Sequence, residues 1–180
     1  GALVGYEAIR NWGFNTDMAK QGAADASLTD LSTYTELSNI TGTTWENTSR
    51  SFFGRLTYAY KSRYLFEVNA RYDGSSRFAP ESRWGFFPSF SGGWRVSEES
   101  FMQGSPFDNL KIRLSWGKLG NNSIGDYEWQ ATYSGSNYIF GDKLTSGLAQ
   151  TVIANQKLRW ESVTQTNIGL DFAILNNRLV

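Results

Sequence analysis

Between Phe52 and Asp73 the chain alternates apolar and polar side chains almost without interruption. Even positions carry Phe52, Gly54, Leu56, Tyr58, Tyr60, Tyr64, Phe66, Val68, Ala70 and Tyr72, while odd positions include Arg55, Thr57, Lys61, Glu67, Asn69, Arg71 and Asp73. Successive side chains of a strand point to opposite faces, so the pattern predicts two strands with one apolar and one charged face. The arms are Phe52–Lys61 and Tyr64–Asp73. Pairing Tyr60 with Tyr64 across a three-residue loop sets Tyr58 opposite Phe66, Leu56 opposite Val68 and Gly54 opposite Ala70. On the other face Thr57 meets Glu67 and Arg55 meets Asn69. A two-residue loop would pair Lys61 with Tyr64 and push charge onto the apolar face, because a one-residue slip inverts every side chain.

Three further stretches repeat the pattern. Trp84, Phe86, Pro88, Phe90, Gly92, Trp94 and Val96 oppose Ser89, Ser91 and Arg95; Leu110, Ile112, Leu114 and Trp116 oppose Lys111, Arg113 and Ser115; Ile168, Leu170, Phe172 and Ile174 oppose Asn167, Gly169, Asp171 and Ala173. Pro88 donates no ladder hydrogen bond, so a bulge or an unpaired position is expected there. Asn176-Asn177 suits a two-residue hairpin turn. Ala2–Trp12 is a weaker first strand. Phe14–Arg50 shows no convincing period and is expected to be mostly loop, with a short helix near Met18–Ala26. The connections alternate in length: long to residue 51, short at Lys61–Arg63, longer at Gly74–Arg83, medium at Ser97–Asn109, long at Leu119–Gln165 and short at Asn176-Asn177. A strand-like run at Tyr127–Tyr133 lies inside the last long one.

A soluble sandwich alternates too. Strand length and aromatic residues at strand ends favour a different solution, since transmembrane β-strands of about 9–11 residues carry aromatic girdles and a polar inner face. The expected fold is therefore all-β: an antiparallel up-and-down transmembrane β-barrel, of which residues 1–180 supply about six strands. Its short turns would be periplasmic and its long loops extracellular, with Ser97–Asn109 the poorest fit. Composition leaves both architectures open. Mean hydropathy is negative, but half of each barrel strand faces water. The 7 Trp, 9 Tyr and 12 Phe suit a β core as well as interfacial girdles. The alternative is a soluble secreted β-sandwich that binds carbohydrate as a lectin-like module. The two part at Phe52, Leu56, Phe66, Phe90, Leu114 and Phe172, which are buried in one core in a sandwich and face lipid in a barrel.

Candidate chemistry is sparse. With no Cys and no His in 180 residues, Cys nucleophiles, Ser-His-Asp triads, disulfides and Cys/His metal sites are excluded within the chain. No cofactor is implied. Lys+Arg and Asp+Glu are 17 each, so no basic excess points to nucleic acid. Glu98-Glu99 and Asp126/Glu128 are the only arrangements that suggest an acid and base, and turns use acidic residues routinely, so no enzyme activity is expected. Gly74-Ser75-Ser76-Arg77 lacks the strand–loop–helix context of a phosphate cradle and reads as a tight loop. Gly117, Gly120, Asn121 and Asn122 suit a strand exit into a turn. The charges Arg55, Glu67, Arg71, Asp73, Arg95, Lys111, Arg113 and Asp171 are mixed in sign, unlike an ion-selective ring. They are expected to bond one another, water and whatever fills the barrel. Trp45, Tyr127, Trp129, Tyr133 and Tyr138 are the candidates for substrate contact, because flat aromatic faces stack on sugars or peptide side chains. Trp160 is a structural candidate. The chain starts at Gly1 without a charged-then-apolar leader and ends at Asn176–Val180 as a turn entering another strand, so an internal piece of a longer protein is expected.

Several separated motifs carry a resemblance. Asp73-Gly74-Ser75-Ser76-Arg77-Phe78, Arg83-Trp84-Gly85-Phe86-Phe87-Pro88-Ser89 and Gly93-Trp94-Arg95-Val96-Ser97-Glu98-Glu99 are similar in order and kind to the barrel of SusC/RagA-like TonB-dependent outer-membrane transporters. So are Leu110 through Asn122, Leu158-Arg159-Trp160-Glu161, Thr166 through Asp171 and Asn176-Asn177-Arg178-Leu179. The resemblance covers roughly residues 50–180, departing at Gln156, where Pro is expected. It implies a barrel of about 22 strands filled by its own plug domain, capped by a SusD-like surface lipoprotein and driven by TonB. It further implies uptake of glycans or peptides across the outer membrane of Bacteroidetes-type Gram-negative cells. The plug and the TonB-contacting segment would lie outside this chain.

Overall fold

The computed structural model describes residues 1–180 except 24, 26, 28, 176, 177 and 180; the turn expected at Asn176-Asn177 therefore lies outside the described residues. Eight strands follow in order: β1 (Ala2–Ala23), β2 (Tyr34–Tyr60), β3 (Tyr64–Ser75), β4 (Trp84–Arg95), β5 (Phe107–Asn121), β6 (Thr132–Phe140), β7 (Lys143–Val152) and β8 (Glu161–Ile174). One antiparallel sheet runs β1-β2-β3-β4-β5-β8 and curls into a half-barrel, while β6 and β7 form a separate two-stranded ribbon. Short 3₁₀ turns punctuate the connections, and no helix among the described residues is long and apolar enough to cross a membrane.

The β2–β3 hairpin has the register that its alternation demands: Tyr60 faces Tyr64, Tyr58 faces Phe66, Leu56 faces Val68, Gly54 faces Ala70, Thr57 faces Glu67 and Arg55 faces Asn69. Its turn closes with Arg63 N–H donating to the Tyr60 carbonyl at 3.0 Å. Lys61 and Ser62 sit at φ +49° and +54°, the left-handed pair that suits a twisted hairpin. Pro88 makes no bulge. It stands opposite Ala70 in an unbroken β3–β4 ladder, and the β4–β5 ladder begins only at Ser89, so its unpaired side is toward β5.

Three expectations are corrected. β1 continues through Phe14 and Met18 to Ala23, and β2 starts at Tyr34, so the described part of Met18–Ala26 is strand or bend rather than helix. Residues 34–48 of β2 pair in the sheet only with β1, and they rise about 50 Å past the end of β3 at the usual strand spacing. Their Thr, Ile and Tyr content favours strand, but with no apolar face to mark it. Tyr127–Tyr133 is also not a strand: residues 126–129 form turns, Tyr127 has φ +65°, and β6 begins at Thr132.

The described residues form no central core. Its accessible surface is 13673 Å², whereas a compact protein of 20.2 kDa would show roughly 8,800 Å². Buried apolar residues among those described are Phe78, Ala79, Phe87, Val96 and Ala173, all at strand ends or connections except Phe87. The even-numbered face stands open: Phe52 is 51% exposed, Leu56 61%, Phe66 54%, Phe90 49%, Leu114 49% and Phe172 39%. No second sheet covers it, so the sandwich alternative is not favoured.

Candidate functional site

Two aromatic bands bound the open apolar face. At the short-turn end Tyr60, Tyr64 and Trp94 stand side by side on three strands, with ring centroids 6.3 and 6.4 Å apart. Toward the long loops Tyr6 lies 5.0 Å from Phe52, and Trp84 lies 4.9 Å from Tyr72 and 6.2 Å from Phe52. Eight residues separate Tyr60 from Phe52, and Tyr64 from Tyr72. That is about 26 Å along a strand, or about 20 Å of height once barrel tilt is applied, close to the apolar band of an outer-membrane barrel. Amphipathic rings at both edges and aliphatic side chains between them form a lipid-facing wall.

The odd-numbered face is a lattice of paired charges. Arg55 reaches Glu67 at 2.9 Å, and Arg71 reaches Asp73 at 3.2 Å and Glu7 at 3.6 Å. Arg113 holds Asp171 through two hydrogen bonds of 2.7 Å. A groove of about 650 Å³ runs beside these groups, lined by Glu67, Ser91, Gly93, Lys111, Arg113 and Asn167 among others. The Lys111 stem passes across Gly93, where a Cβ would come within 3.2 Å of it. Small residues thus make room for a charged, water-accessible inner surface of mixed sign.

At the loop end, side chains far apart in sequence converge. Asp126 accepts hydrogen bonds from Arg77 Nε at 2.9 Å and Asn47 Nδ2 at 3.2 Å. Arg77 also donates to the Asn122 carbonyl at 3.3 Å, and Asn122 Nδ2 donates to Ser75 Oγ at 3.4 Å. Beside this knot Phe78, which is fully buried, and Phe87 each lie 5.2 Å from Trp160, whose indole N–H donates to the Arg83 carbonyl at 2.9 Å. The far end of the Phe87 ring sits against Gly120, where any side chain would collide with it. The motifs Gly74–Phe78 and Leu158–Glu161 are thus two halves of one packed joint.

The short-turn end has its own clasp. Glu99 accepts from the Tyr64 hydroxyl at 2.6 Å, the Trp94 indole at 3.1 Å and Arg63 at 3.1 Å. The Tyr64 bond first, then the Trp94 bond and the Arg63 charge, hold its carboxyl below the usual range. Glu99 and Asp126, one from each of the two pairs that suggested acid–base chemistry, are engaged in these structural contacts at opposite ends of the sheet. Among the described residues no group of acidic side chains is arranged to hold a metal.

The five aromatic candidates are dispersed. Trp45 lies on the odd face of β2, half-buried, with its ring against Gly13. Tyr127 sits in the turn after β5, its hydroxyl donating to the Glu46 carbonyl at 3.0 Å. Trp129 is half-buried, and its enclosed indole N–H has no partner. Tyr133 and Tyr138, both exposed, project from opposite faces of the β6–β7 ribbon. Tyr127 meets β2 at Glu46, the residue next to Trp45, while the ribbon pair stands apart. Sequence reasoning missed the Asp126–Arg77–Asn47 knot; the Arg77 motif was its only trace.

A curled sheet with a lipid-facing wall, aromatic edges and a charged inner face defines part of a transmembrane β-barrel. Residues 3–180 match the family described as TonB dependent receptor-like, beta-barrel, and the chain belongs to that family. It is 38% identical over 181 residues to the TonB-dependent receptor SusC of Bacteroides thetaiotaomicron, covering 97% of this chain and 17% of the relative. It is 41% identical over 130 residues to the TonB-dependent receptor P3 of Formosa agariphila, covering 72% and 13% respectively. The solved structure of the RagAB peptide transporter superposes with a TM-score of 0.83 at 31% identity, covering 98% of this chain and 20% of that one. The chain thus spans a fifth or less of the length of these relatives.

Proposed function

We propose that residues 1–180 form part of one barrel domain of an outer-membrane importer that takes up glycans or peptides. The carrying observation is the two-faced sheet, with a lipid wall outside and a paired-charge surface inside. In this reading TonB supplies the energy through a segment outside the chain, a plug domain of the same polypeptide rests against the inner charges, and a SusD-like lipoprotein covers the loop end. The chain's role is structural and recognitive rather than enzymatic. The name of the RagAB relative, a peptide transporter, supports solutes of peptide size. Trp45, Tyr127 and Trp129 are the contact residues nearest the barrel mouth; Tyr133 and Tyr138 contact solute or cap from the ribbon.

Uptake of labelled oligosaccharides and oligopeptides by cells with and without the full-length receptor tests this. Uptake of one solute class is expected to require both the receptor and TonB. Trp129→Ala is expected to raise the half-saturating solute concentration without changing receptor level. Undiminished uptake of every solute in receptor-deleted cells would refute the proposal.

A further inference from the structure

Over most of the span between its aromatic bands the outward face carries no charge. The even positions 52–60, 64–72, 84–94, 110–116 and 164–172 are all uncharged. On the loop side of these stretches the first charge on this face of β5 is positive. Lys118 follows Trp116 on the same face of β5, and Arg159 lies just before β8.

These two cations share a groove that exists because the wall splits. The β4–β5 ladder stops at Ser89 opposite Gly117, although β4 continues out to Trp84 and β5 to Asn121. A groove of about 980 Å³ opens there, lined by Trp84, Phe86, Pro88, Lys118, Arg159 and Glu81. Phe87 and Trp160 close it from behind. The stacked Phe90 and Trp116 rings, 5.0 Å apart, continue its floor down the apolar wall. Neither Lys118 nor Arg159 makes an ion pair among the described residues, with Glu81 or with any other carboxylate. A lysine on a lipid-facing strand is unfavourable at mid-bilayer and tolerable only where its head reaches the interface. Lys118 stands one register step on the loop side of the Leu56–Val68–Phe90–Trp116 row, so its stem runs up the groove toward Trp84, where the anions available to it are the headgroups.

We propose that this groove is a binding site for a phosphate-bearing lipid of the loop-side leaflet. The phosphate sits between Lys118 and Arg159, Trp84 and Phe86 flank the headgroup, and the acyl chains run down Phe90, Trp116 and Leu114. The inference rests on reading the strands as membrane-spanning. The apolar floor selects a lipid over free phosphate, because only a lipid covers it.

The full-length receptor in neutral detergent is titrated with dioleoyl phosphatidic acid, with dioleoylglycerol and with inorganic phosphate, and bound molecules are counted by native mass spectrometry. Phosphatidic acid is expected to be retained, and Lys118→Gln with Arg159→Gln to weaken retention about 10- to 30-fold, from the attraction of two cations near an anionic lipid surface. Each single variant is expected to show a partial loss, and Arg50→Gln, outside the groove, none. Equal retention by the double variant, or equal retention of dioleoylglycerol, overturns the site. Inorganic phosphate binding as tightly as the lipid overturns the lipid assignment. Heat-modifiable migration on gels separately reports whether the receptor and each variant form a barrel, so a failed barrel is distinguishable from a failed site.

Discussion

The β2–β3 hairpin and the β6–β7 ribbon are both antiparallel, yet they behave as different kinds of object. The first pairs twelve residues without a register shift and is flanked by β1 and β4. The second pairs nine, shifts register between Thr132 and Tyr133, and has no neighbouring strand. In β2–β3 every large apolar side chain between the bands except Phe53 and Leu65 lies on one face. In the ribbon Ile139, Leu144 and Leu148 lie on one face and Tyr138 and Phe140 on the other, all exposed. An isolated two-stranded hairpin is at best marginally stable in water. Alternation along a strand therefore records that its two faces meet different solvents, and strand formation by itself leaves no such mark.

The strongest way to break that contrast is to place the same charge in both hairpins of the full-length receptor. Leu56 lies midway between the bands, opposite Val68. Leu56→Arg is expected to lower the unfolding free energy in a bilayer by about 2–4 kcal/mol, while Leu144→Arg in the ribbon changes it by no more than about 0.5 kcal/mol. Equal losses in a denaturant titration would erase the distinction. A smaller effect is expected where loops are tied to β2–β3. Arg77→Ala leaves Asp126 largely enclosed without its cation, which costs about 1–2 kcal/mol. Limited proteolysis should then cut within residues 122–131 sooner than in the parent, while ribbon cleavage is unchanged.

The smallest expected effect is that of pH on the Glu99 clasp, which has no counterpart in the ribbon. Because its contacts lower the folded carboxyl value, the stability it contributes is fully present above the ordinary glutamate range near pH 4.3. It is lost as pH falls through the lower folded value. Thermal melts of the parent and Glu99→Gln should differ at pH 7, and the gap should narrow as pH falls below the ordinary glutamate range. A gap that widens on acidification would show that the ionised carboxylate is not the stabilising form.

How much could be read from residues alone follows the same rule. The register of β2–β3 was legible because Arg55, Glu67 and Arg71 must lie opposite in sense to Leu56, Phe66 and Val68, and a one-residue slip would expose charge to lipid. The upper part of β2 was not legible. Thr41, Thr43, Thr44 and Thr48 rise past the aromatic band, where no contrast of solvents imposes a pattern, and so strand there reads as loop. Tyr127 and Trp129 misled in the opposite direction, since aromatic composition resembles strand while the chain turns at Asp126–Trp129. The five candidate aromatics were chosen by residue type, and type says nothing of which ones share a surface.

Local alternation determined the two faces, the hairpin register, the bands of Tyr, Trp and Phe, and with its motifs the family, because each depends on neighbours in one strand or across one turn. Only the tertiary structure decided what meets at the loop end. Arg77 and Asp126 are 49 residues apart, and Phe78 reaches Trp160 across a longer span still. The split between β4 and β5 that brings Lys118 beside Arg159 likewise has no local signature. Such contacts are set by how far each ladder runs before its strands part, a property of the whole curled sheet rather than of any segment.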